Sequence, residues 1–96
     1  MAVKLDALRV GYARWVPKPE VAPSVIARRA AVGRRIRDLR ENARIPQAAV
    51  ADAAGLSRSF YLHVEAGQRN VSLDNLFAIA DALGVKLSAI VAAADG

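Results

Sequence analysis

A glycine and a serine two residues apart, in Gly55-Leu56-Ser57, constrain the fold of this chain more than any other feature. Glycine supplies the left-handed backbone that stops a helix sharply, and a serine can cap the next helix through the amide of Ser59 or Phe60. The pattern predicts a short helix over 47–54 and a second helix that buries Tyr61 and Val64 and ends at Gly67. Two short helices joined by such a turn form a helix-turn-helix.

Helical periodicity predicts three further helices around this pair. We expect Ser24 to cap the first of them and Pro46 to end it and open the next helix. Its buried stripe is predicted to be Val32, Ile36, Leu39 and Ala43. Ser72 is expected to cap a fourth helix, closed by Gly84, with an apolar stripe of Leu73, Leu76, Phe77, Ala80 and Leu83. A last short helix begins at about Ser88, so the predicted fold class is all-α with five helices.

The first 23 residues differ from the rest of the chain. Three prolines between residues 17 and 23 forbid a continuous helix there. The stretch Leu8–Val16, with Tyr12 and Trp15, suits a short strand or an arm that orders on contact; the plainer alternative is a mobile terminus. We therefore predict an irregular N-terminal arm over 1–23 and a helical domain over 24–94, with the helix-turn-helix at 47–66.

Composition excludes several classes of protein. The chain has 96 residues, no cysteine and one histidine, which excludes thiolate zinc sites and multi-histidine metal sites. It has no apolar stretch near the ~18 residues that span a bilayer, so we expect a cytoplasmic protein without metal or cofactor.

The net charge is +5, and the segment 23–45 alone carries seven arginines against two carboxylates. That concentration of basic charge favours a polyanionic partner.

Five segments in register point to one family. They are Val32–Arg40, Pro46–Ser59, Val64–Asn70, Ser72–Leu76 and Ala82–Val85. Together they resemble the phage-repressor, or XRE-type, family of helix-turn-helix DNA-binding domains over roughly residues 31–92. The resemblance implies a five-helix bundle of the phage-repressor type, with double-stranded DNA as its partner. Pro46 and Ala49 depart from the family, which usually has polar residues at these two positions.

The resemblance also implies which side chains meet DNA. In this motif the second helix enters the major groove, so Arg58 can donate a bidentate pair to guanine and Leu62 can touch a thymine methyl. Gln47 would bond a phosphate. The full set implied is Gln47, Ser57, Arg58, Ser59, Leu62, His63, Arg69 and Asn70. Arg40 and Glu65 match the family's ion pair between the first and third helices. Further arginines extend the basic footprint or form a merely solvated face, namely Arg28, Arg29, Arg34 and Arg35.

The expected function is a transcriptional regulator, a repressor or autoregulator, that binds a two-fold operator as a homodimer. One motif reads only a few base pairs, so two copies must act together. The last helix is the predicted dimer surface, through Leu87, Ile90 and Val91; alternatively these residues complete the core of the monomer. A second reading is an antitoxin or protein-interaction adaptor that holds a toxin or another regulator. An enzyme is disfavoured, because no nearby carboxylate would orient His63 beside Ser59.

Overall fold

This computed structural model describes residues 21–95, which contain five α-helices and one 3₁₀ turn joined by short loops. The helices are α1 (Pro23–Asn42), α2 (Gln47–Ala53), α3 (Arg58–Glu65), α4 (Leu73–Leu83) and α5 (Leu87–Val91), followed by the 3₁₀ turn Ala92–Ala94. No strand occurs within residues 21–95, so the predicted all-α, five-helix class is confirmed. The predicted arm lies outside the described residues except for its last three positions.

The helix boundaries follow the capping signals at α3 and α4. The Ser57 hydroxyl accepts a hydrogen bond from the Phe60 amide at 3.1 Å, and the Ser72 hydroxyl accepts one from the Asn75 amide at 3.1 Å. Each bond satisfies an amide that the first turn of a helix leaves without a partner. Gly55 has φ +71°, the left-handed conformation that the turn between α2 and α3 requires. These predictions are confirmed.

The ends of α1 differ from the prediction. Ser24 is not the cap, because α1 already begins at Pro23, and Ala22 precedes it without a side-chain cap. The fixed φ of proline suits the first helical position, which explains the earlier start. Pro46 does not end α1 either: the helix stops at Asn42, and Arg44 then takes a left-handed conformation with φ +59°. Pro46 instead lies directly before α2.

The core draws on every helix. Its buried apolar members are Ile36, Val50, Ala51, Tyr61, Val64, Ile79, Ala80, Leu83 and Ile90. The predicted α4 stripe is wrong at Leu73 and Phe77, which are 58% and 47% exposed, whereas Ile79 is fully buried. Leu73, Phe77 and Ile79 all occur at helical spacing from other apolar residues of α4. Only the rotation of α4 against the rest of the domain decides which of them is buried. Ala43 was also predicted to be buried, but it is exposed because it lies beyond the end of α1.

Two glycines allow α1 to pack very closely against α3. A Cβ built on Gly33 would lie 2.5 Å from the Val64 carbonyl oxygen and 2.6 Å from that of Glu65. A Cβ on Gly67, which has φ +76°, would lie 2.7 Å from the Cα of Ala30. Atoms do not approach this closely, so only glycine fits at either contact. The helix α3, the second helix of the predicted helix-turn-helix, therefore packs directly on the backbone of α1.

Candidate nucleic-acid interface

The side of α3 that faces away from the core carries the side chains predicted to read bases. Positions 58, 59, 62 and 63 share one side of a helix, since residues three and four apart lie on the same face. Arg58, Ser59 and Leu62 are exposed and His63 is half-buried. The opposite side of α3 buries Tyr61, Val64 and Glu65. The structure thus brings the four predicted residues together on one accessible surface.

A buried carboxylate holds α3 in place. The residues predicted to pair, Arg40 and Glu65, are in contact, with Nε of Arg40 2.6 Å from Oε2 of Glu65 and Nη2 3.1 Å from Oε1. The Tyr61 hydroxyl also donates to Oε2, and the side-chain amide of Gln47 donates to Oε1 at 3.0 Å. The side chain of Glu65 is 4% exposed and that of Arg40 is 11% exposed. Four donors therefore satisfy both oxygens of a carboxylate that water hardly reaches.

This network joins four parts of the domain. Arg40 belongs to α1, Gln47 to α2, and Tyr61 and Glu65 to α3. Nη1 of Arg40 also donates to the Ile45 carbonyl at 3.1 Å in the α1–α2 loop. Bidentate arginine–carboxylate pairs fix orientation as well as distance. The network consequently ties α3 to α1 and α2 through one ionic group.

The electrostatics of the network agree with this role. Burial acts to raise the pKa of Glu65, but hydrogen bonds from Arg40, Tyr61 and Gln47 outweigh it and hold the pKa below its usual range. The hydrogen bond to Glu65 raises the pKa of Arg40, so the pair is charged at neutral pH. Burial and the bond to Glu65 raise the pKa of Tyr61, which keeps its hydroxyl protonated as a donor.

Gln47, for which a phosphate contact is predicted, forms a hydrogen bond to Glu65 within the domain. It is half-buried at the start of α2, and one hydrogen of its amide nitrogen points to Glu65. The same nitrogen carries a second hydrogen, which remains available to another acceptor. A phosphate contact from Gln47 would therefore be made by a side chain that the buried network already orients.

Several basic side chains of this region make contacts within the domain. Nη2 of Arg58 lies 3.1 Å from Oδ2 of Asp52, in an exposed ion pair between α3 and α2. The guanidinium of Arg69 lies over the Phe60 ring, 5.1 Å from its centre. Stacking of this kind orients the guanidinium while its edge stays accessible. Asn70 is exposed in the same loop.

Among the arginines that precede the helix-turn-helix, Arg35 neither extends the basic footprint nor lies on a merely solvated face. Its Nε donates to the Ala89 carbonyl at 2.8 Å, which ties α1 to α5. Arg28 and Arg34 are exposed, and Arg29 is half-buried. Arg35 is therefore a structural residue, and the footprint available from α1 is smaller than the arginine count indicates.

The predicted dimer surface needs a correction. Ile90 is fully buried in the chain's own core, so it offers no surface to a second copy. Leu87 and Val91 are half-buried and keep some accessible surface. The helix α5 is only five residues long, and its fourth residue, Ile90, packs inward against the rest of the bundle. Ile90 therefore completes the core of the monomer, which is the alternative that the sequence left open.

Sequence reasoning did not find Asp52 as a neighbour of Arg58, nor Tyr61 and Gln47 as partners of Glu65. For Tyr61 a signal existed, because positions 61 and 65 are one turn apart on a helix. A signal also existed for Gly33, since glycine within a helix costs about 1 kcal/mol and needs a reason such as a close contact. Asp52 carried no such signal, because its approach to Arg58 depends on the angle between two helices.

Within residues 21–95 no helix is by itself long and apolar enough to cross a bilayer. The pair formed by α4 and the segment Leu87–Ala94 reaches that composition jointly, but it is bent by 104°. Across the same described residues, no three His, Cys, Asp or Glu side chains are grouped so that they could hold a metal ion.

Comparison with known proteins decides the family. Residues 36–90 match the family model of the XRE-type helix-turn-helix. The chain belongs to this family. It is 43% identical over 60 residues to the immunity repressor protein of Bacillus phage phi105, in a match that covers 62% of this chain and 42% of that repressor. The chain therefore spans less than half of the length of this relative.

Solved structures of this helix-turn-helix family resemble the chain closely. The restriction-modification controller protein C.AhdI of Aeromonas hydrophila is 39% identical, with a TM-score of 0.65 over 67% of this chain and 97% of the controller. The clp gene regulator ClgR of Corynebacterium glutamicum is 25% identical, with a TM-score of 0.69 over 83% of this chain and 78% of ClgR. These helix-turn-helix relatives are DNA-binding transcription regulators, not enzymes.

Proposed function

We propose that this helix-turn-helix protein binds a specific double-stranded DNA sequence and represses or autoregulates transcription as a dimer on a two-fold operator. The observation that carries the proposal is the accessible side of α3, where Arg58, Ser59, Leu62 and His63 stand together on a helix clamped by the Arg40–Glu65 network. An immunity repressor and a restriction-modification controller among the relatives support a role in repression or autoregulation. Such a protein acts where the genome lies, which places it in the cytoplasm.

The chemistry of this surface suits base recognition. An α-helix with its side chains is about 10–12 Å across and the major groove is about 12 Å wide, so α3 can lie in the groove. Arg58, the first residue of α3, would meet guanine O6 and N7, as N-terminal residues of a recognition helix do. Ser59 and His63 can donate or accept, and Leu62 can contact a thymine methyl. Ser57, as the cap, would lie nearest the backbone.

Contacts to phosphate would set the register of the protein on DNA. We assign them to the second amide hydrogen of Gln47, to Arg69 on its Phe60 support and to Asn70. These groups flank α3 in the sequence at both ends of the motif. Contacts of this kind carry little sequence information and contribute affinity that falls steeply with salt.

Two copies are required because a single helix-turn-helix contacts too few base pairs. In a dimer the two α3 helices would lie about 34 Å apart along one face of DNA. Leu87 and Val91 are the predicted residues that retain surface for such pairing. The exposed Leu73 and Phe77, one turn apart on α4, form a second apolar surface of the right kind. A dimer interface through one of these two surfaces would keep α3 free for DNA.

The test is selection of binding sites from randomised duplexes by the purified protein, with salt-dependent retention measured alongside. We expect a palindromic site, and we expect Arg58→Ala to lower affinity for it by about 1–3 kcal/mol and to relax preference at one position per half-site. Lys86→Ala removes the same charge before α5 and is the matched control. If retention of duplex DNA does not fall as salt rises, or if no site is enriched from the randomised duplexes, the proposed DNA binding is refuted. The antitoxin or adaptor role with a protein partner is then favoured.

A further inference from the structure

The ion pair between Asp52 and Arg58 has no evident role in stability. Nη2 of Arg58 lies 3.1 Å from Oδ2 of Asp52, and the two side chains are 69% and 62% exposed. Exposed pairs of this kind contribute little to folding. Each charge also stands at the unfavourable end of its helix, since Asp52 lies in the last turn of α2 and Arg58 is the first residue of α3. Carboxylates are favoured at helix N-termini and cations at C-termini, which is the reverse of this arrangement.

The position of the Asp52–Arg58 pair points to a role in DNA recognition. Arg58 is the residue assigned to read guanine, and Asp52 holds one of its terminal nitrogens. A guanidinium has five N–H groups, so the bond to Asp52 leaves donors for a bidentate contact. An arginine whose fork is already oriented loses less side-chain freedom when it binds. The carboxylate also repels phosphate, which disfavours use of Arg58 as a backbone contact.

We propose that Asp52 is a specificity-determining positioning residue, which directs Arg58 to a base and away from the phosphate backbone. The proposal rests on the proposed function, because it needs α3 to bind DNA. Asp52 would lower affinity for arbitrary sequences and raise discrimination at the base that Arg58 contacts. Affinity and specificity would therefore move in opposite directions when Asp52 is removed.

The experiment measures binding of Asp52→Ala to the selected site, to the site altered at the Arg58 base pair, and to a random duplex, each as a function of salt. We expect tighter binding to random duplex and a salt slope steeper by about 0.9, as one added phosphate contact requires; this corresponds to roughly eightfold in affinity per tenfold change in salt. Discrimination at the Arg58 base pair should fall by about threefold to tenfold, a part of what a bidentate contact supplies. Asp52→Asn, which keeps an acceptor oxygen without the charge, should retain more discrimination than Asp52→Ala.

Two controls separate this role from its alternatives. Asp81→Ala removes an exposed carboxylate from α4. Unlike Asp52→Ala, it should leave both the discrimination at the Arg58 base pair and the salt slope unchanged. In an Arg58→Ala background, Asp52→Ala should leave discrimination unchanged, because the side chain that it positions is gone. A further loss in that background would mean that Asp52 reads a base itself and would overturn the positioning role.

The two proposals fail in different ways. If the unaltered protein selects a site but Asp52→Ala discriminates at the Arg58 base pair as well as the unaltered protein does, the role of Asp52 is refuted and the proposed function stands. If the unaltered protein selects no site, the proposed function is refuted and the role of Asp52 with it. Thermal unfolding of Asp52→Ala should be nearly unchanged, because the pair is exposed.

Discussion

Replacement of Arg40 by alanine tests whether one buried ionic group holds α3 against α1 and α2. Arg40 supplies two of the four hydrogen bonds to Glu65 and the only positive charge beside it in the network. It also donates to the Ile45 carbonyl. Arg40→Ala leaves Glu65 with Tyr61 and Gln47, which are neutral donors, at a position where the side chain of Glu65 is only 4% exposed in the unaltered protein.

The size of the effect follows from this geometry. Removal of one partner of a buried ion pair costs about 3–5 kcal/mol, because the other charge is left without compensation. The 75 residues described would have a total stability of about 4–11 kcal/mol by the usual range per residue. Arg40→Ala is therefore expected to remove a large share of the free energy of unfolding.

The sign of the pH dependence gives a second, independent readout. The folded pKa of Glu65 lies below its usual range, so its stabilising contribution is present above the ordinary carboxyl pKa and is lost as pH falls through the folded value. Without Arg40, we expect the folded pKa of Glu65 to rise above its value in the unaltered protein, because burial still acts to raise it and the lowering contributions of Arg40 are lost. Acid then protonates the buried carboxylate and relieves the penalty in the variant. The difference in stability between the two proteins should narrow as the pH falls from about 7 to about 4.

The assay is urea unfolding followed by circular dichroism across this pH range. Arg37→Ala is the matched control, since Arg37 forms an exposed pair with Glu41 at 3.2 Å, one turn along α1, worth under about 1 kcal/mol. Glu65→Gln in the Arg40→Ala background removes the stranded charge and should recover part of the loss. An Arg40→Ala protein as stable as Arg37→Ala at neutral pH would refute the reasoning.

Three further predictions concern packing, positioning and assembly. Gly33→Ala should destabilise the fold by several kcal/mol, since a Cβ meets two carbonyl oxygens at 2.5 and 2.6 Å; an unchanged melting temperature would contradict the close contact. Gln47→Ala should weaken binding to all duplexes alike and lower stability by about 1.5–3 kcal/mol through the lost bond to Glu65; an altered base preference in site selection would count against this. Val91→Glu should give a folded monomer by sedimentation with weak operator binding if α5 pairs, whereas a dimer that persists would direct attention to Phe77→Glu on α4.

Local chemistry was enough to predict most of the helix boundaries of this protein. Ser57 and Ser72 cap the helices that follow them because their hydroxyls reach amides three residues along the same chain. The stop at Gly55 depends on its own backbone angles. Signals of this kind act over a few residues, and they can be recognised in a sequence without knowledge of the fold. Ser24 failed as a cap because a competing local signal, Pro23, started the helix earlier.

The rotation and spacing of the helices were decided only by the tertiary structure. Leu73 and Ile79 both suit a buried stripe on α4, and packing against the other helices chose Ile79. The four donors on Glu65 come from three helices, and the approach of Asp52 to Arg58 depends on the angle between α2 and α3. Side-chain contacts between helices require their relative positions in space, which periodicity along one helix does not contain.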